Sequence, residues 1–101
     1  MQATGPEAPW RRRVVRIVNR RGMHARASTR FVELCDTFGE GLEVEVRVLG
    51  GQDVAPGTSI MDLLMLAAGP GTRMEIRARG HRAAAAIAAL GDLVERGFDE
   101  V

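Results

Sequence analysis

Hydrophobic and polar residues follow one another along this chain with two different periods, and each period predicts a different backbone. Leu42, Val44, Val46 and Val48 are interleaved with Glu43, Glu45 and Arg47, the alternation of a strand with one dry face and one wet face. Met74, Ile76 and Ala78 alternate with Arg73, Glu75, Arg77 and Arg79 and predict another such strand. The β-branched run Val14, Val15, Ile17 and Val18 predicts a strand over Arg13 to Asn19, ended by the turn residues "NRRG". From Ala25 to Phe38 the period lengthens. Ala27, Phe31, Leu34, Cys35 and Phe38 recur at spacings of three and four, the stripe of an amphipathic helix, and Gly39 stops it. Gly50-Gly51 predicts a hairpin turn into a short strand over Gln52 to Val54. "APGT" then breaks the chain, and "SIMDLLMLAA" predicts a second, shorter helix closed by Gly69-Pro70-Gly71. Ala84, Ile87, Ala88, Gly91 and Val94, flanked by Leu90 and Leu93, predict the last helix.

The order is β-α-β-β-α-β-α. Strands with a single apolar face need helices on that face only, so the expected fold is α/β of the α+β kind. It is a two-layer open-faced sandwich, with a four-stranded antiparallel sheet covered on one face by three helices. Residues 1–12, which hold two prolines, a glycine and little apolar periodicity, are expected to form a mobile extension, and residues 13–101 one domain. No internal repeat is present.

Composition narrows the classes. A chain of 101 residues with 46% hydrophobic content and no apolar run near the roughly 18 residues of a membrane span describes one small soluble domain. The opening "MQATGPEAPW" has neither a basic start nor an apolar core, so no targeting segment is indicated and a cytoplasmic location is expected, without membrane insertion. The single Cys35 cannot form an internal disulfide. All 14 basic residues are arginine, and Arg11, Arg12, Arg13, Arg20 and Arg21 cluster near the start, a pattern that favours phosphate or nucleic acid. An aromatic content of 4% with no tyrosine argues against nucleic acid, because single-strand readers stack bases on rings.

The chemistry concentrates in "GMHARAST", Gly22 to Thr29, where His24 follows a glycine turn and precedes the first helix. The first turn of a helix leaves about four N–H groups unpaired and carries roughly half a positive charge. That field opposes a charged imidazolium and favours a neutral ring with a nucleophilic lone pair. A phosphoryl group accepted there would meet the N–H groups of Ala25, Arg26 and Ala27, and the Arg26 side chain could close over its oxygens. Spacing alone favours a plain helix-capping role for His24 over a phosphoryl site. A Cys35–His24 pair is excluded by reach, since eleven helical residues at about 1.5 Å each span roughly 16 Å. No carboxylate joins His24 at ligand spacing, and His81, the other histidine, falls at the start of the last helix, so no metal or other cofactor is expected.

"GMHARAST" followed by "RFVE", and later "PGTSIMDLLMLAAGPGT", resemble the histidine-containing phosphocarrier family of the bacterial phosphotransferase system, HPr, and especially its nitrogen-related branch. The likeness runs from Arg13 to Phe98. It implies that His24 takes a phosphoryl group on Nδ1 from enzyme I, which draws on phosphoenolpyruvate, and passes it to a histidine of an enzyme IIA-type protein. It implies further that Arg26 is the active-site arginine, and that the carrier is a monomer regenerated stoichiometrically rather than a turnover enzyme. Ser59 and Asp62 form a capping pattern, S-x-x-D, and in some branches of the family the serine at this position is the target of a regulatory kinase. Met23, Met61 and Met65 are expected to form part of a docking face, with Met65 the readiest of them to turn into the core. Two positions depart from the family pattern: Ala27 stands where proline is common, and Asp62 where glycine is. The alternative reading is a regulatory docking module of the same fold in which His24 is only a cap.

Overall fold

The structure, a computed structural model, describes residues 8–100. Its elements run β1 (Arg11–Arg16), α1 (Ala25–Asp36), β2 (Leu42–Val48), β3 (Val54–Pro56), α2 (Ile60–Met65), β4 (Arg73–Gly80) and α3 (Ala83–Glu95). All strand pairings are antiparallel and the sheet order is β1-β4-β2-β3. Since β4 is antiparallel to both of its neighbours, β1 and β2 run parallel with β4 between them, and β3 and β4 run parallel with β2 between them. Two split β-α-β units therefore interleave, which puts the start of α1, the end of β1 and the end of α3 at one end of the molecule.

The period-two alternation gives the core face of β2 and β4 correctly, whereas Glu75, expected on the wet face, is buried against Arg12 and Arg47. Met74, Ile76 and Ala78 are each 0% exposed, and Val46 and Val44 face the same core. Phe31 and Cys35 of α1, Leu63 of α2 and Leu90, Leu93 and Val94 of α3 close over them. Phe31, fully buried, is the sort of residue whose truncation to alanine costs about 3–5 kcal/mol. Burial pushes the Cys35 thiol up to about 12, with the nearby Asp36 charge adding to the effect. It is a core residue.

Four expectations shift. Strand β1 begins at Arg11, because Arg11 and Arg12 pair with Ala78 and Arg77 of β4. Ahead of it, Trp10 lies with the guanidinium carbons of Arg77 and Arg79 both 4.2 Å from its ring centroid, and Ala8 is buried, so the ordered domain starts before residue 13. The part of the expected extension in residues 1–7 lies outside the described residues. Strand β3 forms at Val54–Pro56 rather than Gln52 to Val54, because Ala55 pairs with Val46 and buries its methyl while Pro56 sits on an edge strand where its missing N–H costs nothing. In α3 the buried stripe is Ala83, Ala86, Leu90, Leu93 and Val94, with Ala84 and Ala88 exposed. Gly91 belongs to it because Arg13 lies across the helix there, donating to Asp92 at 3.0 Å, Glu95 at 2.6 Å and the Ala88 carbonyl at 3.2 Å. A Cβ at Gly91 would come within 2.4 Å of that guanidinium.

The face without helices carries an ion-pair ladder: Arg79 with Glu43, Arg77 with Glu45, and Arg47 and Arg12 with Glu75. The arginines crowded at the start of the sequence thus separate in space. Arg12 joins this ladder, Arg13 crosses to α3, and Arg21 turns toward the cleft of His24. Among the described residues no helix is long and apolar enough to cross a membrane.

Candidate functional site

The turn before α1 is set by Gly22, whose φ of +64° is open to glycine and costly for residues with a Cβ. A Cβ there would also meet the Ala68 carbonyl oxygen at 2.2 Å. That close approach lets Met23 donate its N–H to Ala68 at 2.9 Å, tying the turn to the loop after α2. Met23 then points inward and is 4% exposed. His24 follows as the N-cap of α1, with extended backbone and its carbonyl accepting from Ser28 at 2.9 Å.

The imidazole is held on both nitrogens. Nδ1 accepts from the Arg26 N–H at 3.1 Å, and Nε2 bonds the carboxylate of Glu100. The Nδ1 lone pair is therefore engaged in capping rather than free as expected, and a group arriving on Nδ1 takes the place of the Arg26 N–H. Ala25 and Ala27 have N–H groups in the same first turn, beyond the reach of the i−4 ladder. No acidic residue lies in that turn. Around the ring, Arg21, Arg26, Arg30, Asp99 and Glu100 line an open cleft of about 420 Å³. His24 and Arg26 are thus brought together, and the ring is neither sealed in the core nor turned from the helix.

Sequence reading missed Arg30, Asn19 and Glu100. Arg30 donates to the Phe98 carbonyl, and Asn19 Nδ2 donates to the Gly22 carbonyl at 2.8 Å and to Glu100 at 3.2 Å. Asp99 pairs with Arg96, whose guanidinium holds its carboxyl below the usual range. Glu100 stands 76 positions from His24, and no local pattern signals such a contact.

Ser59 is the N-cap of α2, its Oγ accepting from the Asp62 N–H at 3.1 Å. The reciprocal half of a capping box is missing, because the Ser59 N–H is taken by the Pro56 carbonyl at 3.1 Å. Two methionine assignments reverse. Met23 is core and drops out of any docking face, whereas Met65 is 73% exposed and Met61 67%. Met23 belongs to the hydrophobic core cluster, while α2 has only six residues and turns Leu63 inward in place of Met65. Met65 lines a second groove with Asp53, Val54, Asp62 and Leu66, and neither Ser59 nor these methionines line the His24 cleft.

Comparison with known proteins places this arrangement. A family model described as the PTS HPr component phosphorylation site matches residues 11–96. The phosphocarrier protein HPr of Neisseria meningitidis is 40% identical over 86 residues, 85% of this chain and 92% of that protein. The phosphocarrier protein NPr of Shewanella violacea is 36% identical over 88 residues, 87% of this chain and 92% of that one. Among solved structures, HPr of Thermoanaerobacter tengcongensis superposes with a TM-score of 0.77 at 29% identity, covering 90% of this chain and 98% of that chain. An HPr dimer from the same organism matches with a TM-score of 0.67 at 30% identity, over 85% and 94% of the two chains. A small sandwich that holds one imidazole at a helix start is, on these matches, a phosphocarrier of the phosphotransferase system. The chain belongs to the HPr family, with relatives in both its HPr and NPr branches.

Proposed function

We propose that His24 is the residue that carries the phosphoryl group, accepting it on Nδ1 from phosphorylated enzyme I and passing it to an enzyme IIA-type histidine. The supply is phosphoenolpyruvate, and the protein needs no bound cofactor. On acceptance the Nδ1 lone pair forms the new N–P bond while the N–P bond of enzyme I breaks, its electron pair remaining on the donor ring; on delivery the acceptor histidine's lone pair attacks phosphorus and the His24 N–P bond breaks, its electron pair returning to Nδ1. One observation carries the reading: Nδ1 faces the first turn of a 12-residue helix with no carboxylate in that turn, in a cleft with three arginines. A dianion arriving there is stabilised by the N–H groups of Ala25, Arg26 and Ala27 and by the Arg26 guanidinium.

In the same reading the protein works in the cytoplasm as a monomer and meets its partners through the exposed Met61 and Met65. Ser59 serves α2 as a cap and, where a cognate kinase exists, as a regulatory phosphorylation site. Asp62, three residues on, opposes that second phosphate by like charge.

Incubation with phosphoenolpyruvate and a cognate enzyme I should add one acid-labile phosphate per chain, read by mass spectrometry. His24→Ala should take none, and Arg26→Ala should take it about a hundred- to a thousand-fold more slowly, the range for losing one donor to developing charge. Undiminished labelling of His24→Ala would refute the assignment. The alternative, a docking module in which His24 is only a cap, draws support from the bond that Nδ1 accepts from Arg26. It predicts no exchange of phosphate in the same assay.

A further inference from the structure

The end of the chain reaches back to His24 in a way that the transfer scheme leaves unexplained. After α3, Phe98 and Asp99 both adopt left-handed backbone, with φ of 58° and 59°. Two successive residues with side chains in that region are costly, and they persist only where contacts over-determine them. Here the contacts are specific. The Phe98 ring is 0% exposed, its N–H bonds the Leu93 carbonyl at 2.9 Å, and its own carbonyl accepts from Arg30. The Glu100 N–H bonds the Gly97 carbonyl at 3.1 Å. The hook so formed delivers the Glu100 carboxylate to Nε2 of His24 and to the Asn19 amide.

An ionised carboxylate only accepts hydrogen bonds, so the Glu100 contact places the ring proton on Nε2. The Arg26 N–H at Nδ1 demands the same tautomer from the other side. That second hold is lost once a phosphoryl group sits on Nδ1, whereas the Glu100 contact remains. Both side chains are about four-fifths covered, at 21% and 20% exposure, which keeps water from substituting for the carboxylate. The other charged groups lining the cleft are Arg21, Arg26, Arg30 and Asp99.

The geometry points to Glu100 as the positioning residue of the transfer. It holds the proton on Nε2 and fixes the ring plane, so that Nδ1 alone presents a lone pair, and it balances the positive charge the ring gains as the N–P bond forms. The Nε2 proton stays between His24 and Glu100 throughout. This rests on the phosphocarrier reading for its consequence, but its geometric half can be measured in the unphosphorylated protein.

The test uses the full chain with ¹⁵N-labelled histidine. In the wild type, NMR should find one solvent-protected, downfield Nε2–H resonance for His24 and an Nδ1 shift typical of a nitrogen bearing a lone pair. Glu100→Ala should lose the protected resonance and accept phosphoryl from enzyme I about ten-fold or more slowly, the scale on which losing a partner that orients an imidazole acts. Glu100→Gln keeps an acceptor without the charge, so it should retain the resonance at a less downfield position and restore part of the rate. A protected resonance that survives in Glu100→Ala, or a wild-type rate in that variant, overturns the proposal. If the wild type itself takes no phosphoryl group, the carrier reading fails while the NMR result still decides whether Glu100 holds the ring.

Discussion

Helices α1 and α2 begin by the same device and in opposite electrostatic settings. Each opens on an extended residue whose side chain accepts a backbone N–H from the first turn, His24 from Arg26 and Ser59 from Asp62. At α2 the first turn contains the carboxylate of Asp62, which already balances the small field of a six-residue helix. At α1 the first turn has no acidic residue, the helix is twice as long, and arginines 21, 26 and 30 share the cleft. Capping is thus a backbone requirement that both sites meet. What separates a site able to hold an added anion from one that is merely capped is the charge left over once the cap is in place.

The largest effect expected from breaking this contrast comes from Gly22→Ala. A Cβ 2.2 Å from a backbone oxygen, on a residue at φ +64°, cannot be accommodated without moving the turn. The variant should lose at least about 2 kcal/mol in a denaturant titration. It should also lose phosphoryl acceptance out of proportion to its unfolded fraction, because the turn that aims His24 is the part displaced. Glycine 69, by contrast, has open space where its Cβ would be, so Gly69→Ala should leave acceptance within two-fold of wild type.

A smaller effect is expected at the other helix start. Ser59→Ala removes one cap acceptor and should lower stability by about 1 kcal/mol, while His24 accepts phosphoryl as before. Ser59→Asp should keep the stability, since aspartate caps well, yet weaken partner binding by placing a second negative charge beside Asp62. Equal losses of transfer from both Ser59 substitutions would erase the distinction between the two helix starts.

The smallest effect on the fold should come from the exposed methionines. Met61→Ser and Met65→Ser should change stability by no more than about 0.5 kcal/mol and raise the KM for phosphorylation by enzyme I. Met23→Ser, made in the core beneath the His24 turn, should instead destabilise by about 2–5 kcal/mol. The buried Cys35 offers a convenient monitor for the whole series. With its thiol pushed up to about 12, it should react with alkylating reagents at pH 8 only through unfolding, so faster labelling marks a destabilised variant.

What the chain disclosed on its own depended on contrast between neighbours. In β2, β4 and α1 charged and apolar residues alternate sharply, and the predicted faces are the buried ones. In α3 alanine occupies so many positions that no stripe stands out, and the true stripe is fixed by Leu90, Leu93 and Val94 and by Arg13 lying across Gly91. The edge strand β3 is three residues long and ends in proline, which reads as a turn when its partner strand is unknown. His24, Arg26 and Ser59 were legible because helix starts are local. Met23 and Met65 were not, since a methionine suits a core gap and a docking surface equally well. Trp10 against Arg77 and Arg79, and Glu100 against His24, join distant parts of the sequence, and only the topology brings them together.

The measurement closest to the central claim locates the phosphorus atom. After phosphorylation with enzyme I and phosphoenolpyruvate, ³¹P–¹⁵N coupling in histidine-labelled protein should place the phosphoryl group on Nδ1 of His24, with Nε2 still protonated. Phosphorus on Nε2 or on Ser59, or none bound at all, would contradict the account.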